Sequence, residues 1–167
     1  MNTKPDTLPA SELIEHLFFA YRDFIGDPDT ILSEIGFGRA HHRVLHFVDR
    51  KPGLTVAELL DLLKITKQSL ARVLKQLIDA GYVRQKPGPE DRRQRELYLT
   101  ETGQALIRSL REPQSRRIVS ALQQSGCAEE DIATFLFAMM TDDAKQQISM
   151  LNAGGRDGAG TESSEDR

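Results

Sequence analysis

Residues 54–83 read LTVAELLDLLKITKQSLARVLKQLIDAGYV, and the fold turns on this stretch. Thr55 and Glu58 are spaced as the two side chains of a capping box, and Leu54 and Leu59 stand where a hydrophobic staple places its apolar pair. Two independent start signals coincide, which predicts a short helix from Val56 to about Leu63. Ile65-Thr66-Lys67 leaves room only for a tight connection. Leu70, Val73, Leu74, Leu77 and Ile78 then recur at helical spacing, giving a second helix with one apolar stripe. Its opposite face carries Lys67, Gln68, Ser69, Arg72, Lys75 and Gln76, and all six are read as exposed hydrogen-bonding or basic positions. Gly81 follows where a helix end favours glycine.

The next residues form a hairpin. Tyr82-Val83-Arg84-Gln85 reads as a strand, Pro87-Gly88-Pro89-Glu90-Asp91 as a turn, and Leu97-Tyr98-Leu99 as the returning strand. Arg92, Arg93 and Arg95 cluster at the tip. Two short helices, a tight turn and a two-stranded wing make a winged helix-turn-helix. A helix held by its apolar face can present the other face to a major groove. Thr66, Lys67, Gln68, Ser69, Arg72 and Lys75 are the candidate contacts, since Arg can pair bidentately with guanine and Gln with adenine. Arg92, Arg93 and Arg95 suit a narrow, negative minor groove. The competing reading is a winged helix that binds protein, with its arginines merely solvated.

Outward from this module the chain is helical. Leu13, Ile14, Leu17, Phe18, Tyr21 and Phe24 give an amphipathic helix over residues 11–25, and Asp27-Pro28-Asp29 is expected to break it. A helix over Arg39–Arg50 buries Ala40, Val44, Leu45, Phe47 and Val48 and ends at Lys51-Pro52-Gly53. Thr100 caps a helix from about Glu101 to Gln124, with Pro113 expected to kink or break it. A last helix is expected over about Glu129–Leu151. Residues 1–10 read as a flexible N-terminus and 152–167, with four glycines and mixed charge, as a disordered tail. The predicted fold class is mainly α with a small β wing.

Charge is distributed unevenly. The 167 residues carry a net charge of −3, yet residues 39–100 hold 13 basic against 7 acidic side chains. A local field decides what a face binds, so an acidic average leaves nucleic acid open. No apolar run approaches the roughly 20 residues of a membrane span. Met1–Ser11 lacks the apolar core of a signal peptide. The single cysteine, Cys127, cannot form an internal disulfide, and a reduced, cytoplasmic setting is expected.

The pieces Leu54–Leu59, Leu74–Val83, Pro89-Glu90-Asp91-Arg92-Arg93 and Leu99-Thr100-Glu101-Thr102-Gly103 resemble the MarR family of bacterial transcription regulators. The last two are specific in combination, and the resemblance extends over about residues 11–151. Gly38-Arg39-Ala40-His41-His42-Arg43-Val44-Leu45 is similar to the PetP-like branch of that family. The resemblance implies a homodimer: a winged helix-turn-helix over 54–103, flanked by dimerisation helices over 11–25 and 101–151. It implies a double-stranded DNA operator as partner, Asp91 as a wing-bracing residue and Arg93 as the minor-groove contact. It also implies a small-molecule effector pocket, for which Tyr21, Phe24, Arg39, His42 and His46 are the candidates.

Other constellations are weaker. His42 and His46 stand at i, i+4, an edge a metal could use, but the remaining histidines and Cys127 do not complete a ligand set. Pocket-lining or core histidines are the better reading, and no cofactor is expected. Cys127 reads as an ordinary cysteine. Gly155–Gly160 follows no strand and opens no helix, so it is no phosphate loop. Catalytic motifs are missing, and an enzyme is not expected.

Overall fold

Local caps set the helices of the central lobe. The structure is a computed structural model that describes residues 11–154. Its elements are α1 (Ser11–Glu34), α2 (Arg39–Arg50), β1 (Leu54–Thr55), α3 (Val56–Leu63), α4 (Lys67–Asp79), β2 (Val83–Pro87), β3 (Arg95–Leu99), α5 (Glu101–Ser125), α6 (Glu129–Met139) and α7 (Asp142–Gly154). At the start of α3, Thr55 Oγ1 accepts the Glu58 N–H at 3.2 Å and Glu58 Oε2 accepts the Thr55 N–H at 2.8 Å. Leu54 and Leu59 are both sealed in the core. At the start of α4, Thr66 Oγ1 accepts the Ser69 N–H at 3.1 Å. Lys64, at φ 51°, makes the left-handed turn between the two helices.

The sheet has three strands rather than two. β3 lies between β1 and β2, antiparallel to both, with Leu54 opposite Leu97 and Val83 opposite Leu99. Thr55 thus ends a strand and caps a helix at once. Behind the sheet a single core gathers Leu32, Val44, Leu45, Val48, Leu59, Leu63, Leu70, Val73, Leu74, Leu77, Leu97, Ile107 and Leu110. Each such burial is worth about 1.5–3 kcal/mol. The corner between α4 and the wing is tied to α5: Thr100 Oγ1 donates to the Gly81 carbonyl at 2.6 Å while accepting the Gly103 N–H at 3.0 Å. Gly103 is required there, because a Cβ would overlap the Tyr82 carbonyl oxygen.

Four expectations about the outer helices need correction. α1 runs through Asp27-Pro28-Asp29 to Glu34 instead of stopping near residue 25. Pro28 withholds the N–H that would reach the Phe24 carbonyl, but Gln114 Nε2 on α5 donates to that carbonyl at 3.3 Å. Arg117 grips Asp27 with two bonds, of 2.7 and 2.8 Å, and Pro28 itself is buried. α5 likewise passes Pro113 unbroken; the carbonyl this frees, on Ser109, lies on an exposed stretch open to water. The last helix is two helices. Met140 is extended, at φ −76° and ψ 151°, and Thr141 Oγ1 accepts the Ala144 N–H at 3.3 Å to start α7. α7 continues through Gly154, so residues 152–154 are helical and not tail. The expectations for residues 1–10 and 155–167 lie outside the described residues.

α7 returns to the lobe. Gln147 Nε2 donates to the Asp61 carbonyl at 3.3 Å and Arg50 Nη2 to Asn152 Oδ1 at 2.7 Å. Among the described residues no helix is long and apolar enough to cross a membrane.

Candidate nucleic-acid interface

The exposed face of α4 is built by its own stripe. Leu70, Val73, Leu74 and Leu77 anchor it to the core, which leaves Lys67, Gln68, Ser69 and Arg72 exposed along the first two turns. Thr66 is engaged with Ser69, accepting its N–H and donating to its Oγ at 2.9 Å. Lys75 pairs with Asp79 at 2.6 Å, on the surface, where such a pair is weak. Gln76 departs from the expectation of exposure: it is half-buried, and its Oε1 meets His41 Nε2 at 2.9 Å.

The wing tip is hydrogen-bonded along its backbone and exposed at its side chains. Asp91 Oδ1 accepts the Arg93 N–H at 2.9 Å, the Asp91 carbonyl accepts the Gln94 N–H at 3.0 Å, and Gly88 donates to the Gln94 carbonyl at 2.9 Å. Arg92, Arg93 and Arg95 are exposed. Arg84 and Lys86 on β2 lie over the Tyr98 ring.

Charge pairing separates this face from the rest. Arg39, Lys51, Arg111 and Arg117 each hold a carboxylate. Among the described residues, Lys67, Arg72, Arg92, Arg93 and Arg95 hold none. Arg43 and Arg50 on α2 and Arg108 on α5 also lack a carboxylate, but most of the unneutralised cations among the described residues sit on α4 and the wing, where a polyanion would supply the missing partners.

A second feature lies between α1, α2 and α5. Tyr21, Phe24, His42 and His46, expected together, do line one cleft of about 290 Å³. Arg39 does not: it turns away to Asp29 at 2.9 Å. Ile25, Arg43, Phe47 and Gln114 complete the lining. Arg43 and Phe47 were within reach of sequence reasoning, since they repeat the i, i+4 spacing of His42 and His46 one residue on. Gln114 left no such signal. Arg43 also donates through Nη2 to the Leu63 carbonyl, the last residue of α3, at 3.2 Å. Loss of hydration holds both histidines below their ordinary value of 6.5, with the Arg111 cation adding to the effect. Asp29 opposes it at His42 and Asp49 at His46, and the outer edge of His46 stays open to water. Among the described residues no three His, Cys, Asp or Glu side chains come together as a metal site.

Comparison with known proteins fits this geometry. A family model described as MarR family matches residues 35–94. The chain is 48% identical over 141 residues to the HTH-type transcriptional regulator PetP of Rhodobacter capsulatus, covering 83% of this chain and 84% of that protein. Among solved structures, Streptococcus pneumoniae FabT in complex with DNA superposes with a TM-score of 0.63 at 19% identity, over 86% of this chain and 99% of that one. The apo form of wild-type MarR from E. coli gives 0.57 at 22% identity, over 80% and 96%. At such identities the structural likeness is one of fold, and the family rests on the closer relative. The chain belongs to the MarR family: it is a transcription regulator built on a DNA-binding winged helix, and not an enzyme.

Proposed function

We propose that the protein acts in the cytoplasm as a homodimer on a double-stranded DNA operator, with α4 in the major groove and the wing in the minor groove. The observation that carries this reading is the set of unpaired cations on α4 and the wing tip, in a chain whose other basic side chains mostly have acidic partners. Lys67, Gln68, Ser69 and Arg72 face the bases, Thr66 and Lys75 the flanking backbone. Arg92, Arg93 and Arg95 follow the minor groove, and Asp91 braces the wing through the Arg93 N–H. Dimerisation is supported by the bare apolar surface of Phe18, Phe19, Ile118, Val119, Phe135 and Met139. The cleft lined by Tyr21, Phe24, His42 and His46 lies where the outer helices meet the lobe. A small-molecule effector bound there would bear on both at once.

Arg72 and Arg93 separate the two modes of contact. Arg72→Ala is expected to cost about 1–3 kcal/mol per half-site and to relax preference at one base pair. Arg93→Ala is expected to weaken all sequences, A·T-rich flanks most, and to lower the salt slope. Binding to a panel of single-base operator variants at two salt concentrations distinguishes them. Uniform loss for Arg72→Ala with a one-position change for Arg93→Ala would reverse the assignment.

A further inference from the structure

We propose that His41, which lies outside the helix-turn-helix, is a positioning residue for DNA reading: it fixes the recognition helix by holding Gln76. The inference rests on α4 being the helix that reads DNA.

His41 is the buried polar side chain of the lobe, only 9% exposed among the described residues. Both ring nitrogens are used. Nδ1 accepts the Gly38 N–H at 3.1 Å, so in the neutral ring the proton resides on Nε2. Nε2 therefore donates to Gln76 Oε1, 2.9 Å away. The ring lies flat on Phe37, with centroids 4.4 Å apart and planes 7° apart, and Phe37 meets Tyr82 edge-on at 5.6 Å. Tyr82 is the first residue beyond the Gly81 turn that ends α4. The start of α2 thus holds α4 at two points, one on its flank and one just past its end.

The flank contact carries the direction. Apolar contacts from Leu70, Val73, Leu74 and Leu77 press α4 onto the lobe, but hydrophobic burial is non-directional and sets the facing side of the helix more coarsely than a base contact needs. A hydrogen bond is directional, and a shift of a few tenths of an ångström weakens it. Gln68, Arg72 and Gln76 follow one another at i, i+4, on one row of the helix. Fixing Gln76 fixes where Arg72 and Gln68 point, at the tolerance a base contact demands. The polar face of α4 is therefore divided: its first two turns face outward, and Gln76 faces inward as the handle by which α2 holds them.

The test is a double-mutant cycle on the full-length chain, using a duplex selected by the wild type from random sequence. His41→Phe keeps the stack on Phe37 and removes both hydrogen bonds. Gln76→Ala leaves α2 intact and serves if His41→Phe folds poorly. Each is expected to weaken binding roughly fivefold, the scale of one hydrogen bond, with preference blunted at the base pairs that Arg72→Ala and Gln68→Ala also affect, and with circular dichroism and dimer mass as in the wild type. The double variant is expected to bind no more weakly than the weaker single variant. Effects that multiply, wild-type affinity in Gln76→Ala, or relaxed preference in Gln76→Ala at a base pair that Arg72→Ala and Gln68→Ala leave unchanged would each overturn the proposal. The last result would make Gln76 a base contact in its own right. A wild type that selects no sequence would instead overturn the reading of α4 as the recognition helix.

Discussion

The lobe and the outer helices solve opposite problems. From α2 to the first half of α5 the chain closes on itself: Val44, Leu45, Leu59, Leu77, Leu97, Ile107 and Leu110 are essentially inaccessible. The N-terminal half of α1, the second half of α5 and all of α6 keep their large apolar residues bare, Phe18 at 70% exposure and Phe135 at 47%. α6 buries nothing within the chain. A helix with Ile132, Phe135, Leu136 and Met139 uncovered gains little from folding alone, since most helical stability in proteins comes from packing. The lobe is specified within one chain, whereas the outer helices leave their apolar faces uncovered in it, as the proposed dimer requires.

The largest expected effect breaks the outer region and spares the lobe. Phe135→Asp places a charge on the bare face of α6, twice in a symmetric dimer. Two lost phenylalanine burials of about 1.5–3 kcal/mol each, plus the charge, should shift the dimer to monomer at micromolar concentration. Sedimentation velocity would show the shift, while near-ultraviolet and far-ultraviolet circular dichroism of the lobe persist. A variant that stays dimeric would remove α6 from the interface.

Next in size is the converse change inside the lobe. Leu77→Ala leaves a cavity in a closed core and is expected to cost about 2–5 kcal/mol of unfolding stability. Chemical denaturation at fixed protein concentration measures it. Phe135→Asp, by contrast, should make the wild-type dependence of midpoint on protein concentration disappear. If Leu77→Ala altered that dependence and left the denaturation midpoint unchanged, the division between the two regions would be wrong.

The same division governs what was legible in the sequence. α2, α3 and α4 appear at the expected residues because their signals are local: Thr55 and Glu58 three apart, Thr66 before Lys67, Gly81 after the stripe. The outer helices departed from expectation because distant residues decide them. Pro28 is tolerated through Gln114, which lies 90 positions beyond the Phe24 whose carbonyl it satisfies. The break between α6 and α7 is the exception: Ile132, Phe135, Leu136 and Met139 share one helix face while Ile148 and Leu151 fall on another, and Thr141 precedes two aspartates, a local signal that apolar content alone passes over. At the site, the exposed cations of α4 and the wing follow from pattern. The inward turn of Gln76 does not, because a glutamine on a polar face looks exposed until His41, 35 positions earlier, is seen to hold it. Arg39 was misjudged for the same reason, its partner being Asp29 on another helix.

The smallest expected effect lies at the seam between the two regions and is a pH dependence. His42 and His46 sit on α2 facing α1 and α5, with Asp29, Arg111, Asp49 and Arg50 as the charged groups that influence them. Both are held below 6.5, chiefly because the cleft strips water from the imidazolium, with Arg111 repelling the same form. The unfolded chain regains the ordinary value, so on acidification it binds protons before the folded chain does. Where the unfolded state holds more protons, stability rises with pH. The contribution is therefore complete above about pH 6.5 and is lost as pH falls from there through the depressed folded values. Thermal melts between pH 7.5 and 5.5 should show the midpoint falling with acidification. A His42→Gln, His46→Gln double variant should flatten that slope without changing the melt at pH 7.5 by as much as Leu77→Ala does. Both side chains keep some contact with water, which is why the effect ranks last. A midpoint that rises on acidification, or a slope untouched in the double variant, would mean that the seam is wetter than its lining of Phe24, Ile25 and Phe47 implies.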